Sequence, residues 1–443
     1  MQEPGKTYVC IDLKSFYASV ECVDRGLDPF TTNLVVADPD RTDTTICLAI
    51  TPAMKEQGVK NRCRVFEIPK SMRYIMAKPR MRRYMEVSAN IYSVYLRYVS
   101  PEDVHVYSVD ECFIDATPYL SLYEMDARSF AKMLMDAVFD ETGICATAGV
   151  GTNLFLAKVA LDVTAKHVDD HIGFLDEVLF MRSVWFHRPI TDIWSVGPGI
   201  ARRLAKYGVH DLAGVAGMHP ETLYREFGVN AEYLIDHAWG QEPCTIEQIH
   251  GYEPEGHSIC NSQVLPCDYS FEEARIVLRE MVDASVLKLV SSGLVTGSVG
   301  LALGYASERP TLQSADVFEG GHGTRVVDPR KRHERTSTTH KLSRKTNSFK
   351  FLMEQFETMY ERIADRTKPI RKVSVTFADL DDEGHATFTL FDDLESEERE
   401  HKLQEAVVAV RDKFGKNAML KGTSLKGKAT ARERNQQVGG HRA

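Results

Sequence analysis

The residues best suited to chemistry in this sequence are three carboxylates, Asp12, Asp110 and Glu111. Asp12 ends the apolar stretch YVCID, and the other two stand side by side in YSVDECFIDA. Successive side chains of a strand point to opposite faces, so the acidic pair cannot belong to one solvent-facing edge. Three carboxylates converging from different strands are the ligand set that two Mg²⁺ ions need for phosphoryl transfer. Because spacing alone does not establish convergence, a solvated turn remains the alternative for the pair.

A phosphate site is predicted beside Asp12. The stretch LKSFYASVE enters a helix through a tight turn, and the free N–H groups and dipole of such a helix start bind phosphate. Lys55 in TPAMKEQGV and Lys166 in LDVTAKHV supply cations for a triphosphate, although a single lysine is more often merely solvent-exposed. Aromatic residues such as Phe16 and Tyr17 usually lie in a core, and for Phe16 we prefer that interpretation.

A DNA-phosphate site is predicted in ITDIWSVGPGIARRLAKYGV, which has the pattern of a helix-hairpin-helix. Gly197 and Gly199 allow the N–H groups of the turn to approach a phosphate closely, and the following helix carries Arg202 and Arg203. An αα-hairpin with a glycine turn and no ligand is the structural alternative.

The elements that position these residues alternate between strand-like and helix-like segments over the first 175 residues. TYVCIDL and NLVVAD predict strands, Ala127 to Thr142 predicts a helix, and CATAGVGTNLFLAKVALDVTAK predicts strand, turn and helix with Asn153 as the N-cap. The acidic pair is expected at or near the turn of a hairpin. Small helices joined by glycine turns begin after a boundary near Asp176.

A second α/β region follows a polar, turn-rich stretch near 241–258 that is typical of a linker. FEEARIVLREMVDASVLKLVSSG and SFKFLMEQFETMYERIAD predict helices, and TGSVGLALGYAS and IRKVSVTFADL predict strands. The pattern indicates a small domain of helices on a sheet.

Bulk composition is that of a soluble globular protein with several domains. The 443 residues are 43% hydrophobic and 26% charged, and no apolar run is long enough for a membrane span, so we expect a cytoplasmic protein. Nine scattered cysteines predict reduced thiols without disulfides or structural zinc.

The net charge of −9 hides three basic blocks. Lys60 to Arg83 has nine Lys/Arg residues against one acid, Arg325 to Lys345 has eight against two, and Arg411 to Ala443 has nine against two. Three such blocks suggest a polyanion track.

Five segments of the chain resemble, in order, the motifs of the Y-family DNA polymerases that perform translesion synthesis. They are CIDLKSFYASVE, AITPAMKEQGV, YSVDECFID, GVGTNLFLAKVALDVTAK and IWSVGPGIARRL. NSQVLPCDY and ERNQQVGGH resemble its bacterial UmuC-like branch. The resemblance implies a multidomain α+β right hand: a ferredoxin-like palm (1–25 and 76–175), small fingers (26–75), a helical thumb with the helix-hairpin-helix (176–245), a linker (246–258) and an α/β little finger with a C-terminal tail (259–443).

The resemblance also implies roles for individual residues. The catalytic carboxylates of the family, which bind two Mg²⁺ ions, are matched by Asp12, Asp110 and Glu111. Leu13 is assigned as a further metal ligand. Tyr17 matches the steric gate that excludes ribonucleotides. The nucleotide-binding site is assigned to Tyr17 together with Phe16, Lys55 and Lys166. Gly197, Gly199, Arg202 and Arg203 are assigned to DNA. Two positions depart from the family pattern: Lys14, where many relatives have a second acid, and Pro52, where many have Tyr.

Near the end, ATFTLFDD resembles the short peptide by which bacterial polymerases bind the sliding clamp. Leu390 and Phe391 match it, and the leading Gln is absent. An ordinary strand that ends in an acidic turn is the alternative.

The expected function is therefore a low-fidelity, template-directed DNA polymerase that acts as a monomer on primer-template DNA and dNTPs, with the sliding clamp as partner. A catalytically silent adaptor that binds DNA and the clamp is one alternative, which loss of a metal carboxylate would favour. A nucleotidyl cyclase with the same palm topology is another, but it does not explain the helix-hairpin-helix or the little-finger segment.

Overall fold

A computed structural model of the chain describes residues 5–254, 258–306, 334–388 and 393–442. The chain forms two compact units, Met1–Glu253 together with His441–Ala443, and Pro254–Gly440. The elements of the first unit are, in chain order, β1 (Tyr8–Leu13), α1 (Phe16–Val23), β2 (Leu34–Val36), β3 (Ala49–Ile50), α2 (Pro52–Glu56), β4 (Ile75–Ala77), α3 (Met81–Tyr95), β5 (Val104–Val106), β6 (Glu111–Asp115), α4 (Thr117–Leu122), α5 (Ala127–Thr142), β7 (Ala146–Gly151), α6 (Leu154–Val159), β8 (Ile172–Leu175), α7 (Glu177–Ser183), α8 (Pro198–Ala205), α9 (Leu212–Ala216), α10 (Pro220–Phe227), α11 (Ala231–Ala238) and α12 (Ile246–His250).

A five-stranded sheet in the order β5-β6-β1-β7-β8 organises the first unit. The central strand β1 is antiparallel to both β6 and β7, and β7 is parallel to β8. Val9, Cys10 and Ile11 of β1 are almost fully buried, as expected for a strand with neighbours on both sides and helices over the sheet. The sheet therefore gives Asp12, at the end of β1, a rigid support.

A separate three-stranded sheet in the order β3-β2-β4 covers the region predicted as fingers. Val35, Cys47, Ile50 and Met54 are buried in its own small core. Pro52 is the first residue of α2, a position where the missing N–H of proline costs no helical hydrogen bond.

Glycines let helix α6 lie directly on strand β7. A Cβ at Gly149 would fall 2.1 Å from the Ala157 carbonyl oxygen, and one at Gly151 would fall 2.2 Å from the Ala157 nitrogen. On β8, a Cβ at Gly173 would fall 2.4 Å from the Ala160 carbonyl oxygen. These backbone contacts exclude any side chain. After α6 the chain continues through a π-helical turn, Ala160–Thr164.

Side-chain caps fix where many helices begin. The predicted N-cap Asn153 is confirmed, since its side chain accepts a hydrogen bond from the Leu156 N–H. Helix α5 has the predicted bounds, with Asp126 as its cap and a left-handed Gly143 at its end. Such caps satisfy N–H groups that have no partner within the helix.

Small helices from α7 to α11 pack together with α6 around a shared hydrophobic core. Its buried residues include Phe180, Leu204, Leu212, Leu223 and Leu234. All three tryptophans of the chain lie here: Trp185 donates its indole N–H to the Ala238 carbonyl (2.7 Å) and packs against Trp239, and Trp194 stacks on His237.

The elements of the second unit are β9 (Ile259–Tyr269), α13 (Phe271–Ser291), β10 (Leu294–Tyr305), β11 (Arg335–Thr346), α14 (Phe349–Ile363), β12 (Ile370–Asp382), α15 (Leu394–Phe414), α16 (Ala431–Arg434) and β13 (Gln437–Val438), and the chain closes with β14 (His441–Arg442). Strands β9 to β12 form an antiparallel sheet in the order β11-β10-β12-β9. Helices α13 and α14 pack on this sheet around Val277, Met281, Phe356 and Phe377, which confirms the predicted helix-on-sheet domain.

One helix contradicts the sequence-based interpretation, and a second helix was not predicted. The predicted linker 246–258 contains α12, which starts at a capping box of Thr245 and Gln248 and buries Ile246 against Tyr8 and Phe113 of the sheet. Helix α15 was not predicted because it has no apolar stripe, and of its residues Gln404 alone is buried. Its Asp393 cap and its ion pairs at i, i+4, such as Glu398 with Lys402 (2.7 Å), favour the helix instead.

Three further predictions concern the clamp-binding residues, the cysteines and membrane spans. Leu390 and Phe391 lie outside the described residues. All nine cysteines are free thiols. Among the helices that the structure describes, none has the length and hydropathy of a membrane span.

Candidate active site

Strands β1 and β6 bring the three predicted carboxylates to the same end of the sheet. Asp12 and Glu111 are direct partners in the antiparallel register, and Asp110 precedes β6 in the turn that follows β5. The Leu13 N–H donates to the Asp110 carbonyl (2.9 Å), and the Ser108 hydroxyl donates to Asp110 Oδ1 (2.6 Å). The hairpin predicted around the acidic pair is therefore confirmed.

Asp12 is coupled electrostatically to the other two carboxylates. Burial, Asp110 and Glu111 together raise the pKa of Asp12 to about 7. Nearby carboxylates disfavour one another's ionisation, so such a site gains from a cation.

Glu111 has a cationic partner that the sequence-based analysis missed. The Lys158 ammonium of α6 lies 2.6 Å from Glu111 Oε1 and 3.0 Å from Asp162 Oδ1, and the Cys10 thiol donates to the same Glu111 oxygen (3.3 Å). Burial opposes the charge of Lys158, but Asp162 and Glu111 hold its pKa well above the usual range. The available signal was a lysine inside the apolar run LFLAKVAL, with an acid four residues later.

Within the described residues, no group of three or more His, Cys, Asp and Glu side chains has an arrangement ready to hold a metal ion. The three carboxylates lie at one end of the sheet, but Glu111 forms an ion pair with Lys158. The Leu13 side chain is apolar and buried, so Leu13 could bind a metal only through its backbone carbonyl.

Helix α1 begins where the sequence predicts a phosphate-binding helix start. Ser15 precedes it in the left-handed conformation (φ 50°), its side chain caps no N–H, and the first residue is Phe16. The Phe16 ring is 2% exposed, so its side chain belongs to the core and only its backbone lies at the helix start.

The lysines predicted to contact a triphosphate, Lys55 and Lys166, interact electrostatically with each other. The pKa of Lys55 is lowered by partial burial, and Asp12 and Lys166 are the charged groups that act on it. Burial lowers the pKa of Lys14, and Lys55 lowers it further. In the part of the chain that the structure describes, none of the three lysines forms an ion pair. Grouped cations without counterions are typical of a site for a polyanion.

Tyr17 is half-buried and stacks on Tyr84 of α3, with ring centroids 4.5 Å apart and planes at 17°. The Tyr84 hydroxyl donates to Glu21 Oε1 (2.7 Å), and Arg80 donates to the same oxygen (2.8 Å). Burial raises the pKa of Tyr17, and the Asp110 carboxylate raises it further.

The predicted DNA hairpin leads into α8, with Gly197 as the N-cap. A Cβ at Gly197 or Gly199 would meet no atom within 4 Å, so this helix start faces open space. Arg202 is exposed, but Arg203 pairs with Glu226 (2.9 Å) and lies over the Phe227 ring (4.3 Å). Of the two arginines, Arg202 is thus the one that is accessible to a ligand.

Comparison with known proteins places this arrangement in a family. Residues 11–162 match the impB/mucB/samB family, and residues 256–390 match the C-terminal domain of that family. The chain is 30% identical to the putative UV-damage repair protein UvrX of Bacillus subtilis, over 100% of this chain and 99% of that protein. It is 27% identical to DNA polymerase IV 2 of Halalkalibacterium halodurans, over 98% of this chain and 99% of that protein.

The fold has a counterpart among solved structures. A Y-family DNA polymerase chimera matches with a TM-score of 0.60 at 16% identity, over 84% of this chain and 98% of the chimera. The predicted α+β right-hand architecture is confirmed by this likeness. The chain belongs to the impB/mucB/samB family of Y-family DNA polymerases.

Proposed function

We propose that this protein is a low-fidelity, template-directed DNA polymerase that performs translesion synthesis by two-metal-ion nucleotidyl transfer to a primer 3′ end. The observation that supports the proposal best is the meeting of Asp12, Asp110 and Glu111 at one sheet edge beside Lys55 and Lys166. The names of the relatives, a DNA polymerase IV and a UV-damage repair protein, agree with it.

The donor set fits divalent magnesium. Carboxylate oxygens are the ligands that Mg²⁺ prefers. The pKa of Asp12 is raised by burial and by the negative charges of Asp110 and Glu111, and a bound cation would offset both effects. Asp12, Asp110 and Glu111 would hold the ions, and the backbone of Leu13 lies beside them. When bound, Mg²⁺ lowers the pKa of a coordinated hydroxyl and neutralises phosphate charge.

The remaining residues bind and orient the substrates. The open start of α1, Lys55 and Lys166 would hold the triphosphate of the incoming nucleotide. Tyr17, supported from behind by Tyr84, would lie under the deoxyribose and leave no room for a 2′-hydroxyl. Catalysis is then mainly positioning and charge neutralisation.

For DNA, the N–H groups at the start of α8 and the exposed Arg202 would contact the backbone of the primer-template duplex. The basic blocks of the chain would add further phosphate contacts.

The decisive experiment replaces a metal carboxylate. Asp110→Ala and Glu111→Ala should each abolish primer extension with Mg²⁺ and dNTPs while primer-template affinity stays nearly unchanged, because the carboxylates hold ions and not the duplex. Asp140→Ala, on the exposed face of α5, is the matched control. Extension at the wild-type rate by either variant would refute the two-metal assignment. DNA binding by a wild-type protein that extends no primer would indicate the silent adaptor instead.

Clamp binding by Leu390 and Phe391 is a separate proposal, because these residues lie outside the described ranges. Replacing both by Ala should leave distributive synthesis on a short primer unchanged and remove stimulation by a loaded clamp. Equal stimulation of the two proteins would assign the segment a purely structural role.

A further inference from the structure

Lys158 is an unusual residue for the position it occupies. It lies in the buried helix α6 and is 7% exposed, although lysine is almost never buried unless it is paired. Its ammonium contacts two carboxylates, Glu111 at 2.6 Å and Asp162 at 3.0 Å. The Glu111 and Lys158 side chains are each 9% exposed, so water does little to screen the pair.

The ion pair occupies a carboxylate that the proposed reaction needs. Glu111 Oε1 accepts hydrogen bonds from both Lys158 and Cys10. An oxygen that is engaged in this way is not free to bind an ion, which agrees with the absence of a preformed metal cluster among the described residues. Glu111 Oε1 therefore has to leave Lys158 before this oxygen can bind an ion.

Leaving Glu111 would strand a buried ammonium unless a second partner existed, because an unpaired buried charge is strongly unfavourable. Asp162 supplies that partner. It lies on the π-helical turn that follows α6, and its side chain is 32% exposed. π-Helical turns occur often at functional sites. Lys158 thus has one buried partner on the metal edge and one partly exposed partner on its own helix.

We propose that Lys158 is a positioning residue that holds Glu111 while no metal is bound, releases it to Mg²⁺, and then remains paired with Asp162 alone. The proposal rests on the proposed two-metal function. It predicts that Lys158 competes with the metal for Glu111, so that the charge of the site is balanced in both states.

The first test measures metal binding without DNA or nucleotide, with Mn²⁺ followed by electron paramagnetic resonance. Lys158→Gln should bind Mn²⁺ roughly tenfold more tightly than the wild type, equivalent to about 1.4 kcal/mol. In a Glu111→Gln background the same change should alter affinity less than about twofold. Lys132→Gln, which breaks an exposed ion pair with Asp136, is the control and should have no effect.

Other results overturn the proposal. If Lys158→Gln tightens binding equally in both backgrounds, Lys158 acts only through long-range charge on Asp12 and Asp110. If Lys158→Gln weakens binding, Lys158 supports the metal site instead of competing for it.

A second test uses melting temperature and does not require the Glu111 variant to bind metal. In EDTA, the effects of Lys158→Gln and Glu111→Gln should be non-additive, since each alone breaks the same ion pair. In saturating Mg²⁺ this coupling should vanish, whereas coupling of Lys158→Gln with Asp162→Asn should remain. If Lys158→Gln and Glu111→Gln are coupled as strongly in Mg²⁺ as in EDTA, the Lys158–Glu111 ion pair is a permanent structural contact, which contradicts the proposal. Neither test involves nucleotide addition, so its failure is distinct from failure of the polymerase proposal.

Discussion

Tyr17 is the residue whose environment most directly suggests a role. A ring that stacks on Tyr84, which is in turn fixed by the buried Glu21, has little freedom to yield to a bulkier sugar. Tyr17→Ala should therefore raise ribonucleotide incorporation at least tenfold, on the order of 1.4 kcal/mol of discrimination, while DNA synthesis continues. Single-nucleotide insertion of dNTP and rNTP by both proteins checks this.

A control separates the gate from a core aromatic. Tyr92→Ala changes a partly exposed tyrosine on the same helix as Tyr84 and should leave sugar discrimination unchanged. Unaltered discrimination in Tyr17→Ala, together with a loss of roughly 3 kcal/mol of stability, would assign Tyr17 to the core.

Asp12 should destabilise the metal-free protein. Its pKa rises from 3.8 to about 7, so the folded state binds a proton that the unfolded chain releases, and the contribution of Asp12 to stability falls as pH rises from about 4 to about 7. At pH 7.5 in EDTA, Asp12→Asn should thus stabilise the fold by about 1 kcal/mol, as active-site replacements often do. Thermal melts beside Asp140→Asn test this, and a lower melting temperature for Asp12→Asn contradicts it. In a separate assay with Mg²⁺, the same variant should not add nucleotides.

Sequence analysis identified Asp12, Asp110 and Glu111 as site residues but did not identify the ion-pair partner of Glu111. The Val-, Ile-, Phe- and Tyr-rich runs on both sides of Asp110 and Glu111 suffice to predict a hairpin there. The ion pair of Glu111 with Lys158 depends on how deeply α6 lies on β7, which is a through-space property. Likewise, Arg203 matched a DNA-binding pattern, and nothing local to it reveals Glu226 as its partner.

At the scale of elements, the depth of α6 depends on glycine. Gly151→Ala would place a Cβ 2.2 Å from the Ala157 nitrogen, and both atoms belong to rigid backbone. Overpacking of this kind should cost about 3 kcal/mol and shift Lys158 away from Glu111. Urea unfolding measures the loss. Gly199→Ala, where the new Cβ meets no atom within 4 Å, should be neutral or stabilise by up to about 1 kcal/mol. Similar stabilities for the two variants would contradict the close-contact argument.

Helix α8 allows DNA contact to be separated from folding. Arg202→Glu should weaken primer-template binding without lowering the melting temperature, and should reduce the salt dependence of log K by about one unit. Arg203→Glu should instead lower the melting temperature, since it would face Glu226 and lose the Phe227 ring. Affinity titrations at several salt concentrations, paired with melts, check both. DNA affinity that does not respond to salt would rule out the polyanion track.

Elements with strong local signals were predicted well. Helix α5 has apolar residues at Phe130, Leu134 and Val138, a cap and a glycine stop, so its bounds follow from the sequence. Helix α12 was missed because five residues are too few to show periodicity, and its stability comes from burying Ile246 in a sheet formed by distant strands.

At the scale of the whole molecule, the chain is divided into two units with separate hydrophobic cores. The net charge of −9 is distributed so that three basic blocks alternate with acidic stretches. Composition could therefore indicate several domains and a polyanion ligand. It could not locate the end of the first unit, because α12 extends that unit into a stretch with the composition of a linker.

The placement of Trp185, Trp194 and Trp239 in the small helices of the first unit has a spectroscopic consequence. Emission excited at 295 nm reports on that region alone, and unfolding of Pro254–Gly440 is invisible to it, since this unit contains no tryptophan. Circular dichroism at 222 nm follows the helices of both units. If the units unfold separately, the two probes should give denaturation curves with different midpoints. Coincident midpoints would show a single cooperative transition, and a tryptophan placed at Tyr360, in the second core, would then report the same curve.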